Sequence, residues 1–175
     1  MAKGLETRLG LEKLINFIVS EYKPERIILF GSYGTEMRDE NSDIDLYIYK
    51  NEEIPIAVRK EITEEFSDDM EINNQYWETE DDGHIRGLTL GIDIIYRDYN
   101  WVKRELERVL DNYVASVGYT TCIWYNFATS KILYDEKGWF KKLQNKYNIK
   151  YPSKLKYNII NKNYPLLRKL IHAIF

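Results

Sequence analysis

Two aspartates at alternate positions, Asp43 and Asp45, are the residues of this chain best suited to chemistry. They belong to residues 42–49, where apolar and polar side chains alternate, and this period of two predicts a β-strand. Residues two apart on a strand project from the same face of a sheet, so the two carboxylates would lie together. Paired carboxylate oxygens are ligands that hard divalent cations such as Mg²⁺ prefer. The spacing therefore predicts a cation-binding carboxylate pair on one face of a strand.

A Gly-Ser pair lies upstream of these aspartates. Gly31 and Ser32 follow the short, mainly apolar residues 26–30, which predict a buried strand that ends in a turn. Glycine allows the backbone to approach a ligand closely. A serine at the start of a helix lies where unpaired N–H groups favour phosphate oxygens. The pair therefore suggests a phosphate-binding turn.

A third aspartate, Asp93, lies in the apolar segment formed by residues 91–95. An ionised carboxylate among isoleucines is costly without a partner. If this strand lies beside the one that carries Asp43 and Asp45, the three carboxylates form one cluster. Such a cluster repels itself, so it makes sense around metal ions.

The elements that must position these residues form an α/β half followed by a helical half. Apolar residues at helical spacing predict helices at residues 5–22, 52–66 and 101–113. Strands are predicted at residues 26–30, 42–49, 70–76 and 88–96. The acidic, turn-rich residues 78–87 predict a loop. Beyond residue 117 the pattern predicts helices alone, near residues 117–127, at 139–147 and after Pro152.

These motifs resemble the nucleotidyltransferase superfamily typified by DNA polymerase β. Its motif is a Gly-Ser pair, a spacer and Asp-x-Asp, with a third acid on a later strand. Here the motif reads LFGSYGTEMRDENSDIDLYIY, with ten residues in the spacer, followed later by GIDIIY. The specific resemblance covers about residues 26–97. It is greatest to small stand-alone members, among them antibiotic nucleotidyltransferases and minimal enzymes paired with helical toxin partners.

The resemblance implies a fold and a role for each residue of the motif. The implied fold is α/β, a small mixed β-sheet flanked by helices and followed by a helical C-terminal region. Asp43 and Asp45 would bind two Mg²⁺ ions, for which Mn²⁺ can substitute. Asp93 would help to bind one ion and would activate the attacking hydroxyl. Gly31 and Ser32 would hold the triphosphate of a nucleoside triphosphate, with ATP favoured.

The activity implied is transfer of a nucleoside monophosphate to an acceptor hydroxyl with release of pyrophosphate. The resemblance leaves the identity of the acceptor open: it is a small molecule such as an antibiotic, a protein side chain or an RNA end. A different class of function also stays open, in which the same fold serves as a regulatory, antitoxin-like protein that acts on or binds a helical partner. A homodimer is the assembly we consider.

A calcium-binding loop is the main alternative for the acidic segment, because Asp39, Asn41, Asp43 and Asp45 occupy alternate positions. Such a loop needs a glycine at its sixth position and a bidentate glutamate at its twelfth. This chain has Ile44 and Lys50 there, which excludes the loop.

Composition and charge set wider limits. The chain has 175 residues, of which 44% are hydrophobic and 30% are charged, and this excludes intrinsic disorder. A single cysteine, Cys122, excludes an internal disulfide and indicates a reducing, cytoplasmic setting; its apolar neighbours predict a core position. We expect neither a membrane span nor an export signal.

The charge is divided unevenly along the chain. Residues 1–136 carry a net charge of −13, whereas residues 137–175 contain ten basic and no acidic residues. We expect residues 1–115 to form the nucleotidyltransferase domain and residues 116–175 to form a helical, basic region, of which residues 137–175 pack on the acidic half. Lysines of that region would then face the phosphate groups in the cleft. The apolar end of the chain suggests a helix that packs against a second subunit or a further segment of chain.

Overall fold

The structure is a computed structural model that describes residues 2–35, 39, 42–76, 78–86 and 90–174. Side chains are described within these ranges, except those of residues 2–8, 62, 63 and 170–174.

The described strands form one mixed, six-stranded sheet. They are β1 (Arg26–Phe30), β2 (Ile44–Tyr49), β3 (Glu71–Asn74), β4 (Glu80–His84), β5 (Gly91–Arg97) and β6 (Lys131–Asp135). Their spatial order is β3-β4-β5-β2-β1-β6. β2 and β5 run parallel, and the other neighbouring strands run antiparallel. This order places β5, which carries Asp93, directly beside β2, which carries Asp45.

Helices cover both faces of the sheet. They are α1 (Ala2–Tyr22), α2 (Gly31–Thr35), α3 (Ile56–Phe66), α4 (Tyr99–Leu106), α5 (Cys122–Thr129), α6 (Trp139–Lys146) and α7 (Ser153–Ile174). A π-helical turn, Glu107–Asp111, continues α4. The sheet and its flanking helices confirm the predicted α/β fold with helices in the C-terminal region. None of the helices in the described ranges has both the length and the apolar character that a membrane span requires.

Two apolar cores follow from the alternation of side chains along the strands. On the face that we call the α1 face, α1 and α3 pack over Leu46, Ile48 and Ile94, all of which are buried. The opposite face, which we call the α4 face, carries Tyr47 and Ile95 under α4, α5, α6 and α7. Because Asp45 and Asp93 lie two residues before Tyr47 and Ile95, both project from the α4 face.

The prediction of a loop at residues 78–87 is wrong, because β4 lies within this acidic segment. Neighbouring acidic residues of β4 point to opposite faces of the sheet, so their charges lie in different surroundings. Asp81 points to the α1 face, where its fully buried carboxylate accepts a hydrogen bond of 2.9 Å from the Arg59 guanidinium of α3. The same carboxylate accepts bonds from the Tyr96 hydroxyl, at 2.6 Å, and from the backbone N–H of Asn73, at 2.8 Å. A buried ion pair thus fixes β4 in the sheet.

The prediction of helices alone beyond residue 117 is also wrong, since β6 pairs with β1 at the edge of the sheet. The predicted core position of Cys122 is wrong as well, because this residue is exposed at the start of α5. The domain boundary at residue 115 stays a prediction. Residues 88 and 89 of the strand predicted at 88–96 lie outside the described residues.

Candidate active site

A row of carboxylates crosses three adjacent strands on the α4 face. In the parallel pair of β2 and β5, Asp45 stands directly beside Asp93. In the antiparallel pair of β4 and β5, Asp82 stands directly beside Asp93 on its other side. Directly opposite residues of an antiparallel pair have Cβ atoms about 4.5–5.5 Å apart, and neighbouring strands of either kind lie about 4.8 Å apart. Asp45, Asp93 and Asp82 therefore form one continuous acidic row, with Asp93 at its centre.

The Gly31 turn closes one end of this row. Gly31 follows β1 directly and begins α2, with a φ of +64°. A Cβ atom at this position would lie 2.0 Å from Oδ2 of Asp45, so only glycine fits. The backbone of the turn therefore lies against the Asp45 carboxylate, with the partly buried Ser32 next in the chain. The structure brings together the Gly-Ser pair and the aspartates that were predicted to act with it.

Asp43 joins the same site from just before β2. Its exposed side chain lies over Gly91, where a Cβ atom would come within 2.6 Å of Oδ1 of Asp43. Gly91 lies two residues before Asp93 on β5 and so belongs to the same face. Asp43 and Asp45 therefore lie on one side of the sheet, as their spacing predicts, although β2 itself begins only at Ile44.

Burial and nearby negative charge raise the pKa of three carboxyls in this site, those of Asp45, Asp93 and Glu80. Desolvation, followed by the charges of Asp93 and Asp43, raises the pKa of Asp45 to about 6. Desolvation, followed by the charges of Asp43 and Asp82, also raises the pKa of Asp93. Glu80 on β4 is affected in the same way, by burial and then by Asp93 and Asp82. No basic side chain contributes to these shifts, so the row is a concentration of negative charge without a balancing cation among the described residues.

The donor set fits a divalent cation chemically. Half-buried carboxylates that raise one another's pKa are stabilised in the ionised form by a bound cation. Carboxylate oxygens are also the ligands that Mg²⁺ takes in proteins. Within the described residues, no three His, Cys, Asp or Glu side chains stand close enough together to form a finished metal site.

Two residues of this site were not identified from the sequence, although each leaves a signal in it. Asp82 lies in a segment in which residues 78, 80, 81 and 82 are acidic, and three of them, at positions 78, 80 and 82, would share one face of a strand. Gly91 is a glycine inside a strand, which often marks a close approach of another group. Neither signal can be assigned to this site without the order of the strands in the sheet, which the sequence pattern does not give.

The basic C-terminal region makes its described contacts away from the carboxylates. Lys146 forms an ion pair of 3.0 Å with Asp111 at the end of the π-helical turn. Lys154 lies over the ring of Tyr113, 5.1 Å from its centroid. The placement of tail lysines in the cleft stays a prediction.

Comparison with known proteins identifies one family. The family model described as "Polymerase beta, Nucleotidyltransferase" matches residues 12–86, a range that contains Gly31, Ser32, Asp43 and Asp45. Asp93 lies beyond the matched residues. No curated protein matches the chain.

Proposed function

Because residues 12–86 belong to the polymerase β-like nucleotidyltransferase superfamily, we propose that this chain transfers a nucleoside monophosphate from a nucleoside triphosphate to an acceptor hydroxyl. The bond between the acceptor oxygen and the α-phosphorus forms, and the bond from that phosphorus to the bridging oxygen breaks. Pyrophosphate leaves, and the hydroxyl proton passes to a carboxylate. The observation that supports this proposal best is the placement of Asp45 beside Asp93, with the Gly31 turn against Asp45.

Each residue of the candidate site would have its own role in the transfer. Asp43, Asp45 and Asp93 would hold Mg²⁺, which when bound neutralises charge on the attacking and leaving oxygens. Gly31 and Ser32 would hold the leaving pyrophosphate, because the turn lies on the Asp45 side of the row. Asp93 would accept the proton of the acceptor hydroxyl.

We infer a direction of attack from the proposed roles. Attacking and leaving oxygens lie on opposite sides of the phosphorus in an in-line displacement. If pyrophosphate leaves over α2, the acceptor approaches from the opposite side of Asp93, where β4 presents Asp82. Asp93 then lies on the side of the incoming hydroxyl, which suits the role of a general base.

The test is transfer of label from nucleotides that carry ³²P at the α-phosphate. ATP, GTP, CTP and UTP would each be incubated with Mg²⁺, the protein and an acceptor mixture separable into small-molecule, protein and RNA fractions. We expect one fraction to gain label and pyrophosphate to be released in equal amount.

Two variants make the result specific to the site. Asp45→Asn should abolish labelling, whereas Glu64→Gln, which removes an exposed carboxyl of α3, should leave it unchanged. Equal labelling by the wild type and by Asp45→Asn would contradict the proposal. Binding of a helical partner protein without any nucleotide transfer would favour the regulatory alternative.

A further inference from the structure

Helix α7 packs against the rest of the chain along one side only. Leu155 is fully buried, and Ile159 packs against the core of the α4 face. The side chain of Asn163 accepts a hydrogen bond of 2.9 Å from the Gly118 N–H. Beyond Asn163, every residue from 164 to 169 is exposed. The other side of α7 therefore has no covering element among the described residues.

Large apolar side chains line this uncovered side of the helix. They are Tyr157, Ile160, Tyr164 and Leu167, which are between 59% and 66% exposed. Their spacing of three, four and three residues places them on one face of the helix. We call this row the α7 stripe. Exposed apolar surface that is continuous in this way marks a site where a partner or a membrane binds.

Basic side chains border the stripe on both edges. Lys156 precedes Ile160 by four residues, and Arg168 follows Tyr164 by four, so each lies beside a residue of the stripe. At 3.6 residues per turn, the two fall on opposite edges of it. No acidic residue occurs after residue 136, so α7 itself holds no counterion for them. The stripe is therefore an apolar face between positive charges.

A loop beside α7 adds two further exposed apolar side chains. Val117 and Tyr119 flank Gly118, whose N–H is bonded to Asn163. Asn163 directly precedes Tyr164 of the stripe. The loop thus brings more apolar surface next to the helix.

The composition of the stripe favours a lipid surface over other partners. Single-stranded nucleic acid stacks its bases on aromatic side chains, whereas Ile160 and Leu167 are aliphatic. A second copy of the chain that used the same face would bring the basic edges of two helices together, and like charges repel. Anionic lipid headgroups supply the negative charge that these edges lack. Acyl chains cover aliphatic side chains, and tyrosines are enriched at the level of the headgroups.

We propose that α7 docks on an anionic membrane surface, with the α7 stripe buried at the boundary between headgroups and acyl chains. Interfacial helices have this pattern of an apolar face beside Lys and Arg, and they lie in the plane of the membrane. Lys156 and Arg168 contact the lipid phosphates. The helix lies on the membrane, since none of the described helices has the length and apolar character of a span. The contact is separate from the candidate active site and does not depend on the proposed transfer.

Flotation of the full chain with lipid vesicles in a density gradient tests this contact. One set of vesicles contains phosphatidylcholine alone, and the other contains phosphatidylcholine with phosphatidylserine. We expect the protein to float with the phosphatidylserine vesicles and to bind phosphatidylcholine alone much more weakly. Binding should weaken as the NaCl concentration is raised, because salt screens the attraction between the lysines or arginines and the headgroups.

Two double variants test the apolar and the charged parts of the surface separately. Ile160→Asn with Leu167→Asn should lower the affinity for phosphatidylserine vesicles by about ten-fold or more per substitution. Lys156→Gln with Arg168→Gln should lower it by about five-fold per charge. All four positions are exposed, so both variants should keep the fold, which circular dichroism checks.

Matched controls come from α1. Leu9→Asn and Lys13→Gln each remove an exposed residue of the same kind from a different helix. Both variants should float as the wild type does.

The proposal is overturned if flotation does not depend on phosphatidylserine, or if Ile160→Asn with Leu167→Asn leaves it unchanged. Absence of flotation overturns it as well, and two further measurements then identify what covers the stripe. A dimer in analytical ultracentrifugation that this double variant abolishes would assign the face to a second copy. Binding of a fluorescent oligouridine that Tyr157→Ala and Tyr164→Ala abolish would assign it to RNA.

Discussion

Replacement of Asp45 by asparagine is expected to stabilise the metal-free protein at neutral pH. Asp45 is partly buried and lies near the charges of Asp93 and Asp43. Desolvation, followed by these charges, raises its pKa to about 6. Its carboxylate has no hydrogen-bond partner among the described residues that asparagine would lose. Asparagine has nearly the same shape and carries no charge, so the substitution removes the repulsion and keeps the packing.

The magnitude follows from the rise in pKa. Each pKa unit corresponds to about 1.4 kcal/mol, so the rise from 3.8 to about 6 is worth at most about 3 kcal/mol in the free energy of unfolding. Because the carboxyl is partly exposed to solvent, screening reduces this to about 1–2 kcal/mol. For a chain of this length, that corresponds to an increase in Tm of about 2–8 °C.

The sign of the pH dependence is fixed by the direction of the shift. Below about pH 4 the carboxyl is protonated in the folded and unfolded states, so it contributes nothing. As the pH rises from about 4 to 6, the unfolded chain releases its proton first, and the folded state is destabilised. Above this window the destabilisation is complete. Asp45→Asn and the wild type should therefore have similar stability at pH 4 and differ most at pH 8.

Thermal denaturation in EDTA at pH 4 and pH 8 measures this difference. Glu64→Gln is the matched control for the loss of an exposed carboxyl and should change Tm little at either pH. Addition of Mg²⁺ at pH 8 should raise the Tm of the wild type more than that of Asp45→Asn, because the variant has lost a ligand. The reasoning is refuted if Asp45→Asn is no more stable than the wild type at pH 8 in EDTA.

Three further substitutions test other parts of the structure. Asp93→Asn should lower the single-turnover rate by at least about a hundred-fold and change the affinity for an α,β-methylene nucleotide little; a normal rate with a lowered Tm would indicate a structural role alone. Gly31→Ala should lower the free energy of unfolding in urea by more than Gly118→Ala, because both have positive φ but only the first places a Cβ atom against Asp45; equal losses would contradict the close approach. Arg59→Met should destabilise the protein by about 3–5 kcal/mol, because it leaves Asp81 buried and unpaired, and Asp81→Asn in the same chain should recover part of the loss; an unchanged urea midpoint for Arg59→Met would show that the pair does not fix β4.

The sequence determined the parts of this protein that depend on local periodicity. The alternation around Asp43 and Asp45, the apolar run before Gly31 and the isoleucines around Asp93 predict β1, β2 and β5. They do so because a strand face repeats every two residues wherever it lies in the sheet. The residues proposed for chemistry could be named for the same reason, since they are attached to these strands at fixed positions.

Tertiary structure alone decided which strands are neighbours and what each neighbour contributes. In the sequence, the segment that forms β4 looks like a solvated loop because it is acidic. It can be a strand because the charge of Asp81 is compensated by Arg59, which is 22 residues away in the chain. Asp82 enters the carboxylate row only because β4 pairs with β5. A cavity of about 530 Å³ forms only because residues of β5, α4 and α5, among them Arg97, Trp101 and Ile123, meet in space. Such contacts arise between segments distant in sequence, and a local pattern carries no information about its distant partner.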